Sequence, residues 1–484
     1  MIRVRLLMFL FIAVVAYRLL LCISYTPEIS VGETNNVWNA LNIAAGKALY
    51  TNPEEPPFEI YQYTPISQLV IVAAAKVFNN TSDNYSYYVM VIGRLFSLLC
   101  NLATFFIVYL ILKNIFHVNK TLSFAAFVLG FSLLTHLAFA IRPDALAMFL
   151  TITSVYLFLI GSYQKRNTYY VLSAILFSVS FFVKQDSISI LSVLGFFLLL
   201  SKRWKELFTL CISFVISFVV LLFLFHLIFG EYFLSSIVGG LAQGYSLDYA
   251  VMVFIRFIDI YLLWLLVGIV FTTIAFKSIL TDVKSRLLLL LCIGSFAIAI
   301  VTSVKLGAWV NYYSFFIIYF IMLAFKAIDN FSNIHSKKNR MNNIVISTVV
   351  FCSVFFVFRQ AYHYTAPLLK YTQGKRIYAN FIHDFKSLKT DVEKNDYRIY
   401  TFDKHLKLMF YKYTYFPNTE YYHHTIFSFD NYNKLHIDKQ LKYYIYDSSL
   451  NDEQLATLNY FNITTENFKQ KQSIKNFTIF ERVK

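Results

Sequence analysis

The chain has 484 residues, 58% of them hydrophobic and 19% aromatic, with only 14% charged, where an ordinary soluble domain carries roughly 25% charged residues. That balance excludes a purely soluble protein and makes the bilayer the solvent for most of the chain. The formal net charge of +16 does not point to nucleic acid: the cations form short clusters between apolar runs, and the 36 Tyr residues crowd the loops and the tail instead of forming a base-stacking platform.

Apolar segments at 6–22, 88–112, 122–140, 145–160, 170–183, 188–200, 207–229, 251–276, 287–304, 312–324 and 344–358 predict a polytopic α-helical membrane protein with about eleven transmembrane helices. Several fall short of a full span and should be tilted or shielded by neighbours. Arg3 and Arg5 before the first run imitate a signal peptide, but no small-residue cleavage site follows, so it reads as a retained first helix. With the N-terminus cytoplasmic, one set of connections carries sixteen cations, from Arg3 and Arg5 to Lys337, Lys338 and Arg340; the opposite set holds only Lys47, Lys76, Arg142, Lys184 and Lys305. The positive-inside bias puts the first set in the cytoplasm.

Residues 64–78 are apolar at helical spacing but too short to count as a span without inverting every later loop, so they read as an interfacial helix of the first outer loop. A second interfacial helix is expected over 34–45, with Gly46 as its stop. The five cysteines all lie in apolar segments and read as packing residues. Beyond the membrane domain, 1–360, residues 361–484 turn polar and aromatic and predict a small extracytoplasmic α/β domain, with strands near 398–402 and 443–446 and helices near 403–413 and 452–459.

This topology gathers Glu33, Arg142, Asp144, Lys184, Gln185, Asp186, Lys305 and Asn311 on the outer side. Each alone is as well explained by snorkelling as by function; together, with cations at helix mouths, they suit a phosphate held near the membrane surface. His136 reads as a buried structural histidine, and Arg256 and Asp259, three apart on one helix, as an internal pair. Glu54, Glu55 and Glu59 read as a solvated acidic loop; His423 and His424 are too isolated to make a site.

Gly32-Glu33-Thr34, Ala44-Ala45-Gly46-Lys47-Ala48-Leu49-Tyr50, the bend at Pro53, Pro56 and Pro57, and Tyr63-Thr64-Pro65 resemble the first outer loop of GT-C glycosyltransferases, specifically bacterial relatives of the protein O-mannosyltransferases and the aminoarabinose lipid A transferase. The likeness continues through Gly93-Arg94-Leu95, Arg142-Pro143-Asp144, Lys184-Gln185, Lys305-Leu306-Gly307-Ala308 and Asn311-Tyr312-Tyr313, over roughly the first 325 residues. It implies an enzyme of the cytoplasmic (inner) membrane that transfers a sugar from a polyprenyl-phosphate donor to a glycan, lipid or protein acceptor at the outer face. The catalytic carboxylate of the loop maps onto Glu33, where many members have Asp. Inversion needs a base for the acceptor hydroxyl and cations for the leaving phosphate; Glu33 is expected to be the base, and Lys184, Arg142 and Lys305 the cations. Asp144 orients Arg142 or binds a sugar hydroxyl, with a structural ion pair as the competing reading, and Gln185, Asn311 and Tyr63 are expected as further substrate ligands. Some GT-C enzymes use a divalent metal; no ligand set is visible here, so metal use stays open. The rival readings are a polysaccharide polymerase or ligase, a lipid or glycan transporter, which predicts two related halves with mid-depth charges, and a non-catalytic membrane subunit.

Overall fold

The computed structural model describes residues 2–483 apart from 27, 31, 53–60, 79–83, 135, 136, 138, 240–243, 335–337, 370, 416–440 and 448–467. His136, the acidic loop, His423 and His424, and the helix expected near 452–459 lie outside the described residues.

Among the described residues seven helices are long and apolar enough to cross a membrane: Val4–Cys22, Tyr85–Ile115, Pro143–Gln164, Trp204–Phe229, Leu247–Ile274, Val283–Ser303 and Val310–Ser332. Five further apolar helices of the described residues are shorter: Ile66–Val77, Lys120–Leu133, Asn167–Phe181, Gln185–Leu200 and Ile344–Arg359; the last four coincide with segments expected as spans. The chain is a polytopic integral membrane protein. In chain order the helices are α1 (Ile2–Cys22), α2 (Glu33–Ala44), α3 (Ile66–Phe78), α4 (Tyr85–Leu110), α5 (Lys120–Leu133), α6 (Pro143–Gln164), α7 (Asn167–Phe181), α8 (Ile188–Leu200), α9 (Trp204–Phe229), α10 (Tyr232–Gly239), α11 (Leu247–Ile274), α12 (Phe276–Thr281), α13 (Val283–Ser303), α14 (Ser314–Ile334) and α15 (Lys338–Leu369). Within the bundle, the span containing α14 is 78% buried and that of α9 only 6%, so α14 is an axis of the packing and α9 a peripheral helix.

A short helix in hydrocarbon must have its terminal carbonyls served by protein. Arg18, fully buried on α1, does this for α5: its guanidinium donates to the carbonyls of Phe131 (2.5 Å), Ser132 (3.2 Å) and Leu134. The chain can therefore leave α5 early and return to begin α6 at Pro143. Close approach of α4 and α5 depends on Gly130, where an added methyl group would overlap the Phe105 ring.

The first outer loop folds as the two expected helices, α2 and α3. Gly46, with φ +92°, closes the first in a left-handed conformation that favours glycine. The two are tied by Gln68, whose amide donates to the Asn36 carbonyl at 2.6 Å. The start of α3 is stitched to the end of α7: Thr64 Oγ1 donates to the Phe181 carbonyl and the Ile66 N–H to that of Phe182, both at 3.0 Å.

Helices α16 (Tyr371–Asp384), α17 (Lys386–Asn395) and α18 (Lys404–Met409) accompany a five-stranded mixed sheet of β1 (Arg398–Thr401), β2 (Thr414–Tyr415), β3 (Leu441–Asp447), β4 (Phe468–Ile474) and β5 (Phe477–Arg482), in the order β2-β1-β3-β5-β4. β1 runs parallel to β2 and β3; β5 is antiparallel to β3 and β4. This is the small C-terminal α/β domain. It packs on the first loop: Leu408 and Tyr411 share a core with Val37, Trp38 and Leu41, and Trp38 Nε1 donates to Thr414 Oγ1 at 2.9 Å. Lys47 Nζ donates to the Lys412 carbonyl at 2.7 Å, and Lys404 pairs with Glu28.

The expected Arg256–Asp259 pair is not formed. Asp259 instead takes Arg359 of α15 at 2.6 Å, while the Arg256 guanidinium lies 6.0 Å from the Trp309 ring centre. A neighbouring helix outcompetes the i,i+3 partner. Substituting Gly130 by Ala is expected to lower stability by about 1–3 kcal/mol through overpacking against Phe105, read as a fall in the thermal unfolding midpoint of the purified protein in detergent.

Candidate active site

Pro143 sits in the first turn of α6, where its missing N–H costs nothing. Arg142 just before it and Asp144 just after are thereby fixed at the helix mouth. Lys184 lies in the break between α7 and α8, followed by a single 3₁₀ turn, Gln185–Ser187. Asn311 lies in another such turn, Val310–Tyr313, ahead of α14.

These three places meet at the Asp144 carboxylate, which is 4% exposed. It accepts from Lys184 Nζ at 2.9 Å, from Asn311 Nδ2 at 2.7 Å and from Arg142 Nε at 3.2 Å. Lys184 makes a second ion pair, to Asp186 Oδ2 at 2.7 Å, and its ammonium lies 5.1 Å from the Tyr312 ring centre. Arg142 also reaches Ser30 Oγ at 3.3 Å, and Gln185 Nε2 donates to the Gln62 carbonyl at 3.1 Å. A cavity opens here, lined by Gln62, Tyr63, Arg142, Lys184, Gln185, Asp186, Lys305, Gly307, Asn311 and Tyr312.

The structure thus brings together seven of the expected site residues: six line the cavity, and Asp144 is bonded to three of them, Arg142, Lys184 and Asn311. Three cations (Arg142, Lys184, Lys305) face two carboxylates (Asp144, Asp186), leaving one positive charge for a ligand. Burial works against the Lys184 ammonium, but Asp144 and Asp186 outweigh it and hold it well above the usual lysine range. Lys305 has no such support: burial, then the neighbouring Lys184 charge, bring it down to about 8 against the weaker pull of Asp186.

Glu33 stands apart. It opens α2, does not line the cavity, and is fully buried against the equally buried Arg94 of α4. Arg94 grips it through Nε to Oε1 and Nη2 to Oε2, both at 3.0 Å. Oε1 also accepts from the Ile141 N–H at 2.9 Å, and Oε2 from those of Ile29 (2.6 Å) and Ser30 (3.4 Å). Burial alone would push this carboxyl up; the Arg94 charge and these hydrogen bonds overcome it and leave it below its ordinary value. With five donors on two oxygens, Glu33 is built as a pin joining the first loop, α4 and the turn that leads into α6. The carboxylate expected to be the base thus lies in a buried ion pair and not on the cavity wall. Gly93 lets Ile141 lie close enough for the last contact, since a Cβ there would sit 2.8 Å from the Ile141 side chain.

Asp186, Gln62 and Tyr312 had no assigned role in the sequence reading, although Arg142-Pro143-Asp144 and Lys184-Gln185-Asp186 share a cation-x-Asp spacing that marks both helix mouths. Among the described residues no three His, Cys, Asp or Glu side chains come together as a metal site.

Residues 65–229 match the family model described as dolichyl-phosphate-mannose-protein mannosyltransferase. Among solved structures, ArnT from Cupriavidus metallidurans bound to undecaprenyl phosphate is 12% identical with a TM-score of 0.62, and its apo state scores 0.65; each alignment covers 98% of this chain and 97% of the other. The chain adopts the GT-C fold. The Archaeoglobus fulgidus oligosaccharyltransferase, tethered to an acceptor peptide, is 11% identical with a TM-score of 0.51, over 98% of this chain and 74% of the other. No curated protein matches the chain in sequence. The matched family region contains Arg94, Arg142, Asp144 and Lys184 of this GT-C fold, whereas Glu33, Lys305 and Asn311 lie outside it.

Replacing Glu33 by Gln should cost roughly 3–5 kcal/mol, because it leaves the buried Arg94 charge uncompensated. Thermal unfolding in detergent reads this directly, and an unfolding midpoint equal to that of the wild type would contradict the role of a pin.

Proposed function

We propose that this chain is a membrane glycosyltransferase that moves a sugar from a polyprenyl-phosphate donor to a glycan, lipid or protein acceptor at the outer face of the cytoplasmic membrane. The observation that carries the reading is the cavity walled by Arg142, Lys184 and Lys305 at the mouth of the bundle, in a fold shared with a protein crystallised with undecaprenyl phosphate. The asymmetry of cations between the two sets of loops supports the outer orientation.

In this reading the lipid phosphate is the leaving group. As the acceptor oxygen attacks the anomeric carbon, the bond from that carbon to the phosphate oxygen breaks and negative charge grows on the phosphate. Lys184 and Arg142, already fixed by Asp144, offer charge there without reorganising. Lys305 supplies a third cation. Gln185, Asn311 and Tyr63 stand as further ligands around the same space. An in-line displacement inverts the anomeric centre and needs a group to take the acceptor's proton. Glu33 could serve only after Arg94 and the three backbone N–H groups let go, so the geometry favours its structural role.

The test is transfer of labelled sugar from a polyprenyl-phosphate-sugar pool by membranes containing equal amounts of wild type or Lys184→Ala. Loss of one such electrostatic group should cost on the order of 10²–10³ in rate; equal rates would overturn the assignment of Lys184. Lys305 adds a pH dependence. It is charged below about 8 and neutral above, so affinity for undecaprenyl phosphate should fall as pH rises through that value. Lys305→Arg, which keeps its charge, should flatten the fall.

A further inference from the structure

We propose that Asp186 and Asn311 form a hydroxyl-binding subsite for the donor sugar, immediately beside the phosphate subsite, and that Asp186 is a specificity-determining residue. This rests on the lipid-phosphate reading above. Its starting point is a mismatch in polarity among the groups lining the cavity.

An ammonium has three N–H donors. Two of those on Lys184 go to Asp144 and Asp186, which leaves one for a ligand oxygen. The Asn311 amide nitrogen is spent on Asp144; because a carboxylate only accepts, this contact also fixes which end of the Asn311 amide is its oxygen. What remains on the cavity residues as buried polar atoms without a hydrogen-bond partner is Asp186 Oδ1 and Asn311 Oδ1. Both are acceptors. Asn311 is only 6% exposed, so water does not readily serve it.

A buried acceptor left unpaired is costly, and a ligand that brings a donor recovers the cost. Phosphate cannot bring one when ionised, since its oxygens only accept. A sugar hydroxyl can. The cavity therefore asks for two things at once: an anion for Arg142, Lys184 and Lys305, and hydroxyl donors for Asp186 and Asn311. Lys184, which touches Asp186 directly, joins the two subsites. A sugar linked to a phosphate carries these two kinds of group on adjoining parts of one molecule.

Asp186→Asn tests this without changing shape. Lys184 must keep the amide oxygen, so the amide nitrogen falls where Oδ1 was and turns an acceptor into a donor. The full chain in detergent is titrated with undecaprenyl phosphate and with undecaprenyl phosphate carrying mannose or glucose. The wild type is expected to bind at least one sugar-bearing lipid more tightly than the bare lipid. Asp186→Asn also removes one negative charge from the cavity, so bare-lipid binding should hold or tighten, while the affinity for that sugar-bearing lipid relative to the bare lipid falls roughly tenfold or more, the worth of a hydrogen bond to a charged group.

Equal weakening for both lipids would make Asp186 a support for Lys184 only and overturn the proposal, as would no change for either. If the wild type binds bare lipid and gains nothing from the sugar, the subsite falls while the phosphate reading stands. If it binds neither lipid, both fall. Should the variant not fold, wild type is titrated with donors lacking one hydroxyl at a time. One deoxy donor is then expected to bind about tenfold more weakly, and deoxy donors that all bind like the parent would overturn the subsite.

Discussion

The site depends on one buried carboxylate shared by three segments. Asp144 draws Arg142 from its own helix mouth, Lys184 from the break between α7 and α8, and Asn311 from the turn before α14. Two cations so close would repel each other and the surrounding low-dielectric medium would penalise both. The carboxylate makes their proximity tolerable and sets their direction. It also explains why Lys184 differs from Lys305, which does not touch that carboxylate and is correspondingly easier to discharge.

Holding that carboxylate in place is a task for the bundle, and the bundle does it with breaks. α5 stops at Leu133 because Arg18 serves its last carbonyls, and the chain after it arrives at Ile141 beside Glu33. Arg94 then ties Glu33 to α4 and to the carbonyls of Ser24 and Thr26 at the exit of α1. The first loop is pressed from the other side by the C-terminal domain, through Trp38, Lys47 and the core around Leu408. Through these contacts the domain bears on α2, the helix that Glu33 opens, and Glu33 in turn fixes the peptide that leads to Arg142.

Much of this was legible in the sequence. Hydrophobic runs located the apolar helices, and helical spacing the two helices of the first loop, because a bilayer imposes length rules that a single sequence must obey locally. The helix mouths carrying Arg142, Asp144, Lys184, Lys305 and Asn311 were also legible, since the set of connections to which they belong holds only five cations. Partnerships were not. Arg94 and Glu33 are 61 residues apart, Trp38 and Thr414 are 376 apart, and no local pattern announces either pair. Asp259 shows the same limit: its neighbour three residues away is passed over for Arg359 on another helix.

Glu33 shows that residue type and position do not reveal a carboxylate's surroundings. A base needs a free lone pair and a path to the substrate; in this arrangement five donors surround Glu33 and it does not line the cavity. Asp186 is the opposite case, a carboxylate at the cavity whose second oxygen has no partner. Both residues are acidic and both belong to the same end of the molecule. What separates them is which donors their neighbours supply. Glu33 meets a five-donor guanidinium and three peptide N–H groups, so its charge is consumed in holding the fold. Asp186 meets one ammonium already shared with Asp144, so part of its accepting capacity is left over for whatever enters the cavity.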